Sequence, residues 1–164
     1  MFFGDPVAAF ANSEVSTEEV LRWGFLASRA ANLIWDYDRC LEIGTGSGYQ
    51  AAVLAELCKE TYSIEYLPEV AAFGRSNLER TGYLGRVELR VGDGYGGWPE
   101  RAPFDVILVT AAPTQVPEPL LAQLSVGGKL VIPVGPEGGR QRLERWTRVR
   151  PGAAGDGIGP GCVA

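Results

Sequence analysis

Residues 41–50 constrain the fold more than any other part of the chain. They read Leu-Glu-Ile-Gly-Thr-Gly-Ser-Gly-Tyr-Gln, an apolar run that ends in an acid and continues with glycine at every second position. A helical pattern begins at Tyr49 and extends to about residue 59. Glycines at a strand-to-helix turn let the backbone turn sharply and let a ligand approach it, and the helix N-terminus adds free N–H groups. The sequence therefore predicts a nucleotide-sized pocket at the carboxyl end of the first strand.

Strand and helix patterns alternate along most of the chain. We predict strands at residues 39–43, 61–65, 86–91, 104–110, 129–134 and 141–150, and helices at residues 49–59, 68–81 and 117–124. The fourth strand is an almost continuous apolar run, which is typical of a buried parallel strand. Repeated strand–helix units predict an α/β fold, namely a Rossmann-like, doubly wound, mostly parallel sheet with helices on both faces.

The two ends of the chain differ from its middle. Ser16-Thr17-Glu18-Glu19 forms a capping box before an amphipathic helix at residues 20–33. Residues 151–164 are rich in glycine and proline and show little periodicity. We predict an N-terminal helical cap at residues 1–38, a cofactor-binding core at residues 39–150 and a flexible tail at residues 151–164.

Composition narrows the function classes. The net charge of −5 disfavours a nucleic-acid partner. No segment reaches the ~18 apolar residues of a membrane span, so no membrane association is expected. The first residues lack the basic start of a signal peptide, which favours a cytoplasmic protein. The three cysteines, Cys40, Cys58 and Cys162, are too scattered for a metal site, and we expect free thiols, with the first two in the core.

The chain contains no histidine. This excludes Ser-His-Asp and Cys-His nucleophilic chemistry and the usual zinc sites. Any enzymatic reaction here must either have no difficult proton transfer or use carboxylates.

The glycine loop and two acids lie at three strand ends that a doubly wound sheet brings together. Glu65 ends the second strand, where a carboxylate can hold the two hydroxyls of a ribose, and Asp93 between two glycines follows the third. The stretch from Gly46 to Ala51 also fits the dinucleotide pattern G-x-G-x-x-A. The combination favours S-adenosyl-L-methionine (SAM) over a nicotinamide cofactor. The small residues at 110–113, beyond the fourth strand, leave room for a second substrate.

These blocks resemble the protein-L-isoaspartate O-methyltransferase family. Residues 41–52 are similar to its cofactor loop, and the later blocks follow in the family's order: Val91-Gly92-Asp93-Gly94, Ala102-Pro103-Phe104-Asp105, Thr110-Ala111-Ala112-Pro113, Gln123-Leu124 and Gly127-Gly128-Lys129-Leu130-Val131-Ile132-Pro133-Val134-Gly135. The resemblance covers about residues 40–146. Many methyltransferases share the glycine loop, whereas the later blocks are more specific to this family.

The resemblance implies methyl transfer from SAM to the α-carboxylate of L-isoaspartyl residues in damaged proteins. It implies no metal. A carboxylate acceptor, with a pKa near ~4, is already ionised at neutral pH and needs no general base, which agrees with the missing histidine. By position, the residues expected to bind the cofactor are Glu42, Gly44, Thr45, Gly46, Gly48, Glu65, Asp93 and Gly94. The residues expected on the substrate side are Thr110, Ala111, Ala112 and Pro113.

The chain departs from the family pattern near its ends. The family carries a Thr-Ile-Ser-x-Pro segment before the first strand, and this chain has Val20-Leu21-Arg22 at the corresponding distance. The nearest hydroxyls, which are the candidate catalytic groups, belong to Ser13, Ser16 and Thr17, although Ser16 is better explained as a helix cap. Residues 157–164 are not expected to supply the family's final strand.

Several alternatives stay open on the sequence. One is a SAM methyltransferase with a different peptide or small acid as acceptor. Another is a relative that binds SAM without turnover, and a third is a nicotinamide oxidoreductase. The oligomeric state is open as well.

Overall fold

The structure is a computed structural model that describes residues 37–149 and 158–162 of the 164-residue chain. Its strands are, in chain order, β1 (Tyr37–Ile43), β2 (Cys58–Glu65), β3 (Val87–Val91), β4 (Phe104–Val109), β5 (Leu124–Val134), β6 (Arg142–Arg148) and β7 (Ile158–Cys162). Its α-helices are α1 (Tyr49–Leu57), α2 (Pro68–Arg80) and α3 (Glu118–Ala122). Short 3₁₀ helices lie at Leu84–Arg86, Gly94–Gly96 and Pro99–Arg101.

The strands form one seven-stranded sheet in the order β3-β2-β1-β4-β5-β6-β7. β1 to β5 run parallel, and β6 and β7 continue one edge in antiparallel orientation. This confirms the predicted doubly wound, mostly parallel α/β fold. The strand order reverses between β1 and β4, and in such sheets ligands bind outside the carboxyl ends of the strands at that point.

Helices cover both faces of the sheet. Successive side chains of a strand point to opposite faces. On one face, Leu41 of β1 belongs to the same apolar cluster as Leu120 of α3. On the other face, Cys40 of β1 packs with Leu54 of α1. Within the described residues, no helix is long and apolar enough to cross a membrane.

Several element boundaries differ from the prediction. α1 ends at Leu57 and β2 begins at Cys58, although the sequence predicted a helix to residue 59 and a strand from residue 61. The glycine pair at residues 127–128, predicted as a turn before the fifth strand, lies inside β5. There the register against β4 shifts, and Gly127 has a φ of +85°. Two steps along β4, from Phe104 to Val106, match five along β5, from Leu124 to Lys129, so the glycine pair lies in an irregular part of the strand. Regular pairing with β4 resumes at Lys129, the residue at which the sequence predicted the strand to begin.

The predicted cap and tail are described only in part. β1 begins at Tyr37, two residues inside the segment predicted as the cap, and the rest of that segment, including the helix expected at residues 20–33, lies outside the described residues. Within the predicted tail, Ile158–Cys162 forms β7, paired with β6 from Glu144 to Arg148. For these five residues the tail prediction is wrong, because pairing with an edge strand orders a segment that has no periodicity of its own.

Cys40 and Cys58 are joined by a disulfide, so the prediction of free thiols is wrong for this pair. β1 and β2 are neighbours in the sheet, and their register places the two Cα atoms 6.2 Å apart, within the range that a disulfide spans. Both side chains are buried, as predicted. The bond closes a loop that contains the whole glycine-rich segment and α1.

Reduction of this disulfide is expected to lower the free energy of unfolding by about 3 kcal/mol, because closing a loop of roughly 15 residues restricts the unfolded chain by about that amount. Denaturant unfolding with and without a phosphine reductant measures the difference. The Cys162→Ser variant is the control and should show the same difference. If all three cysteines react with a thiol reagent in the unfolded, unreduced protein, the bond is absent.

Candidate cofactor site

A cavity of about 330 Å³ opens at the point where the strand order reverses. Its apolar floor is formed by Ile43 and Val109, the last residues of β1 and β4, and by Ile64, the next-to-last residue of β2. The residues that surround this floor are Gly44, Glu65, Tyr66, Asp93, Gly94, Tyr95, Ala111, Ala112, Pro113, Pro117 and Leu120. A mostly apolar cavity with a few polar groups at its edge is typical of a small-molecule site.

The glycine loop is tied to β2 and to the end of β4. The Gly44 N–H donates to the Ile64 oxygen at 2.8 Å. Thr110 Oγ1 donates to the backbone oxygens of Ile43 and Gly44, each at 3.0 Å. Gly44 has a φ of +100°, and a Cβ at this position would lie 2.2 Å from Thr110 Oγ1. The close approach of the loop to Thr110 therefore requires glycine.

The carboxylate of Glu65 lies at the edge of the cavity and holds the glycine loop. Its Oε2 accepts a hydrogen bond from the Gly46 N–H at 3.0 Å, and its Oε1 accepts one from the Leu67 N–H at 3.2 Å. Glu65 is 9% exposed. Each carboxylate oxygen has a second lone pair, so the group can accept further hydrogen bonds from a ligand.

The segment after β3 forms another wall of the cavity. Asp93 Oδ1 accepts a hydrogen bond from the Tyr95 N–H at 2.9 Å and so caps the short helix that begins at Gly94. A Cβ on Gly94 would lie 2.3 Å from Ile43 Cγ2. Since only glycine permits this contact, the wall lies directly against the floor of the cavity.

A buried polar network lies beneath the glycine loop. Ser63 Oγ donates to Glu42 Oε2 at 2.5 Å, and the hydroxyls of Ser63 and Thr45 are 2.7 Å apart. Glu42 is fully buried, and burial is the main cause that raises the pKa of its carboxyl to about 8. Its Oε1 has no hydrogen-bond partner among the described residues. The raised pKa favours the neutral form of Glu42, which supports the loop and is not among the residues that line the cavity.

The predicted site residues fall into three groups. One group lines the cavity: Gly44, Glu65, Asp93, Gly94, Ala111, Ala112 and Pro113. A second group builds the loop and its supports: Glu42, Thr45, Gly46, Gly48 and Thr110. The third group, the candidate catalytic residues, lies outside the described residues: Ser13, Ser16 and Thr17. For all three groups, direct contact with a cofactor or an acceptor stays a prediction.

Two aromatic residues of the cavity wall were missed by the sequence analysis. Tyr66 follows Glu65, and Tyr95 lies two positions after Asp93. Both line the cavity, and they are 71% and 48% exposed. Their position next to acids that had already been identified was a usable signal, because residues at neighbouring strand ends share one edge of the sheet.

Gly74 was missed as well, although it lies in direct contact with the glycine loop. It is a buried residue in the middle of α2. A Cβ on Gly74 would lie 2.8 Å from the Gly46 oxygen, and one on Gly48 would lie 2.9 Å from the Gly74 oxygen. A lone glycine within a helical pattern was the available signal, since glycine there lowers helix stability and so indicates a packing requirement.

Comparison with known sequences gives one consistent family. The model of the family described as "Protein-L-isoaspartate(D-aspartate) O-methyltransferase (PCMT)" matches residues 26–155. A protein-L-isoaspartate O-methyltransferase of Opitutus terrae is 59% identical over 121 residues, which are 74% of this chain and 51% of that protein. A protein of the same name from Myxococcus xanthus is 56% identical over 116 residues, which are 70% of this chain and 54% of that protein. The chain thus spans about half the length of the curated relatives it matches.

Solved structures show the same similarity. A protein-L-isoaspartate O-methyltransferase aligns with a TM-score of 0.69 and 31% identity, and the match covers 85% of this chain and 45% of the other. The O-methyltransferase TomG from Streptomyces achromogenes, solved in complex with SAM, aligns with a TM-score of 0.59 and 27% identity over 78% of this chain and 61% of its own. The strand-end cavity, the family model and the relatives agree, and the chain belongs to the protein-L-isoaspartate(D-aspartate) O-methyltransferase family.

Proposed function

We propose that this chain binds SAM in the strand-end cavity and takes part in transferring its methyl group to the α-carboxylate of L-isoaspartyl residues in damaged proteins. The observation that carries the proposal is the cavity itself, where Gly44, Glu65 and Asp93 meet at the switch point of the sheet. Family membership supports the choice of cofactor and reaction. Since the chain spans about half the length of its relatives, their full activity, including the methyl acceptor, is a proposal for this chain.

The residues of the cavity fit a nucleoside with an attached amino acid. Glu65 offers free carboxylate lone pairs at the edge, which suits the two hydroxyls of a ribose. Gly44 and Gly94 line the cavity, and their missing Cβ atoms let the backbone pack directly against Thr110 and Ile43. The apolar floor excludes water from a bound purine or thioether. SAM supplies an electrophilic methyl group on a sulfonium when it is bound.

The proposed acceptor chemistry suits a chain without histidine. An isoaspartyl α-carboxylate is ionised at neutral pH, so the protein does not have to remove a proton from it. Alignment of the two reactants in a water-poor cavity is then the main requirement. Ala111, Ala112 and Pro113 line the cavity beside β4 and present no polar side chain that would compete with the acceptor.

The proposed partners are isoaspartyl-containing proteins or peptides, and the proposed location is the cytoplasm. The net charge of −5 supports a protein partner over a nucleic acid. Cytoplasmic thiols would act on the Cys40–Cys58 disulfide, so SAM affinity should be measured for both the oxidised and the reduced protein. Cell fractionation tests the location.

Glu65→Ala is expected to weaken SAM binding by about 10- to 100-fold, because it removes a charged acceptor of hydrogen bonds worth roughly 1.5–3 kcal/mol. It also removes the support of the Gly46 N–H. Glu69→Ala is the matched control, since Glu69 is an exposed acid in the first turn of α2. Calorimetric titration with SAM measures both variants, and unchanged affinity in Glu65→Ala would refute the ribose assignment.

The test of the whole proposal is transfer of a labelled methyl group from SAM to a matched pair of peptides. One peptide carries L-isoaspartate and the other carries aspartate at the same position. Labelling of the isoaspartyl peptide alone is the expected result. A protein that binds SAM and labels a different peptide or a small acid instead would have another acceptor, and SAM binding without any transfer would indicate a non-catalytic relative.

A further inference from the structure

The side chain of Gln123 joins two walls of the cofactor cavity. Gln123 follows α3, and its Oε1 accepts a hydrogen bond from the Trp98 backbone N–H at 2.7 Å. Its Nε2 donates to the backbone oxygen of Gly96 at 2.8 Å. The residue is 8% exposed. One side-chain amide thus satisfies both a donor and an acceptor of the same backbone stretch, as a neighbouring strand would.

The stretch that Gln123 holds is a continuation of the cavity wall. Gly94 and Tyr95 line the cavity, and the backbone then turns at Gly97, which has a φ of +65°. A Cβ on Gly97 would lie 2.5 Å from Gln123 Oε1. The backbone therefore runs in direct contact with the amide, which sets how closely this wall approaches α3.

The backbone of Gln123 is itself fixed to α3 and β4. Leu120 of α3 lines the cavity, and its oxygen accepts a hydrogen bond from the Gln123 N–H at 3.2 Å. The Gln123 oxygen accepts a further bond from the Phe104 N–H at 2.8 Å, at the start of β4. These backbone bonds do not depend on the residue type. The two side-chain bonds do, because they need a neutral donor and acceptor at this reach.

We infer that Gln123 is a positioning residue for the purine end of the cofactor, because it holds the Gly94–Tyr95 wall at a fixed distance from Leu120. The inference rests on the proposed function and on the family resemblance, which implies that Asp93 and Gly94 lie beside the adenine. Without the amide, the Trp98 N–H and the Gly96 oxygen lose their partners, and the stretch must move to find others or remain unsatisfied. Either change alters the shape of the cavity on its purine side.

The test compares Gln123→Met with wild type in the binding of two probes. Methionine has a similar length and no strong hydrogen-bonding group. The probes are S-adenosylhomocysteine and its hypoxanthine analogue, which differ only in the purine edge. Gln141→Met is the matched control, because Gln141 is an exposed glutamine that lies outside the cavity lining.

Gln123→Met is expected to bind S-adenosylhomocysteine about tenfold more weakly than wild type, which corresponds to losing roughly one to two net hydrogen bonds. Its preference for the adenine probe over the hypoxanthine probe should fall as well. A loss of folded protein alone would reduce the binding of both probes equally. Gln141→Met should match wild type for both probes. Unchanged affinity of Gln123→Met, or an equal loss for both probes, would overturn the inference.

Gln123→Asn keeps the test decisive if the methionine variant does not fold. Asparagine retains the amide but is one methylene shorter. The affinity of Gln123→Asn for S-adenosylhomocysteine is therefore expected to lie between those of wild type and Gln123→Met. A folded Gln123→Asn protein with wild-type affinity would overturn the inference. Binding of the two probes to the wild-type protein distinguishes failure of the proposed function from failure of the role of Gln123. If wild type binds neither probe, the proposed function is refuted. If wild type binds both probes and the Gln123 variants bind them as wild type does, only the role of Gln123 is refuted.

Discussion

Replacing Gly74 with alanine is expected to weaken SAM binding by about tenfold or more, because the glycine loop must shift and small displacements in a binding site cost large factors. A Cβ on Gly74 would lie 2.8 Å from the Gly46 oxygen and 3.0 Å from Thr45 Cγ2. The nearer of these atoms belongs to the backbone, so no side-chain rotation relieves the contact. Either the loop moves away from α2 or the helix moves away from the sheet.

The effect on global stability should be small in comparison. Alanine favours a helix interior over glycine by about 1 kcal/mol, whereas overpacking of this kind costs about 1–3 kcal/mol. The two contributions partly cancel in the free energy of unfolding. They do not cancel in cofactor binding, because the displacement falls on the loop whose Gly46 N–H is held by Glu65.

Gly85→Ala is the matched control for this prediction. A Cβ on Gly85 meets no atom within 4 Å, and its φ lies outside the left-handed region. Calorimetric titration with SAM and denaturant unfolding should show wild-type affinity for Gly85→Ala and weakened binding for Gly74→Ala. A Gly74→Ala protein with wild-type affinity would show that the loop tolerates the added methyl group and that close packing of α2 is unimportant for the site.

The fold and the centre of the cofactor site could be predicted because each is indicated by a sequence pattern within one short segment. β4 is an almost continuous apolar run, as a buried parallel strand requires. The glycine loop marks a tight turn and the start of a helix within ten consecutive residues. The sheet order then follows from the handedness and shortness of strand–helix connections. Glu65 and Asp93 were identified for the same reason, since each directly follows or ends a strand that is visible in the sequence.

The supports of the site could not be predicted because they connect distant segments. Gln123 was noted only as part of a block that resembles the family, and no local pattern indicates that its side chain contacts a backbone stretch 25 residues earlier in the chain. The Cys40–Cys58 bond depends on the register of β1 against β2. The hydrogen bond between Glu42 and Ser63 joins two neighbouring strands in the same way, and contact of Glu42 with the cofactor stays a prediction.

The buried carboxyl of Glu42 is expected to make the protein less stable as the pH rises. Burial raises the pKa of this group to about 8, the nearby Glu65 contributes to the increase, and the hydrogen bond from Ser63 opposes it. In the unfolded chain the same carboxyl titrates near its ordinary value of 4.5. Between these two values the folded protein keeps a proton that the unfolded chain has released.

The sign follows from this difference in bound protons. A folded pKa that lies above the unfolded pKa gives a contribution to stability that is complete below about pH 4.5 and is lost as the pH rises through about 8. Glu42 alone should therefore reduce the free energy of unfolding by roughly 1.4 kcal/mol for each pH unit within this window. The effect is large for one residue, because the group has no exposed surface over which solvent could screen it.

Glu42→Gln tests this contribution with a side chain of the same shape and no charge. The amide can keep a hydrogen bond to Ser63, so the variant should lose the slope between pH 5 and pH 8 and be more stable than wild type at pH 8. Glu79→Gln is the control, because Glu79 is an exposed acid on α2 and its removal should leave the slope unchanged. Denaturant unfolding across the pH range measures all three proteins. If Glu42→Gln and wild type show the same slope, the Glu42 carboxyl is ionised in the folded protein, and the polar network beneath the glycine loop must then contain a counter-charge or water that stabilises it.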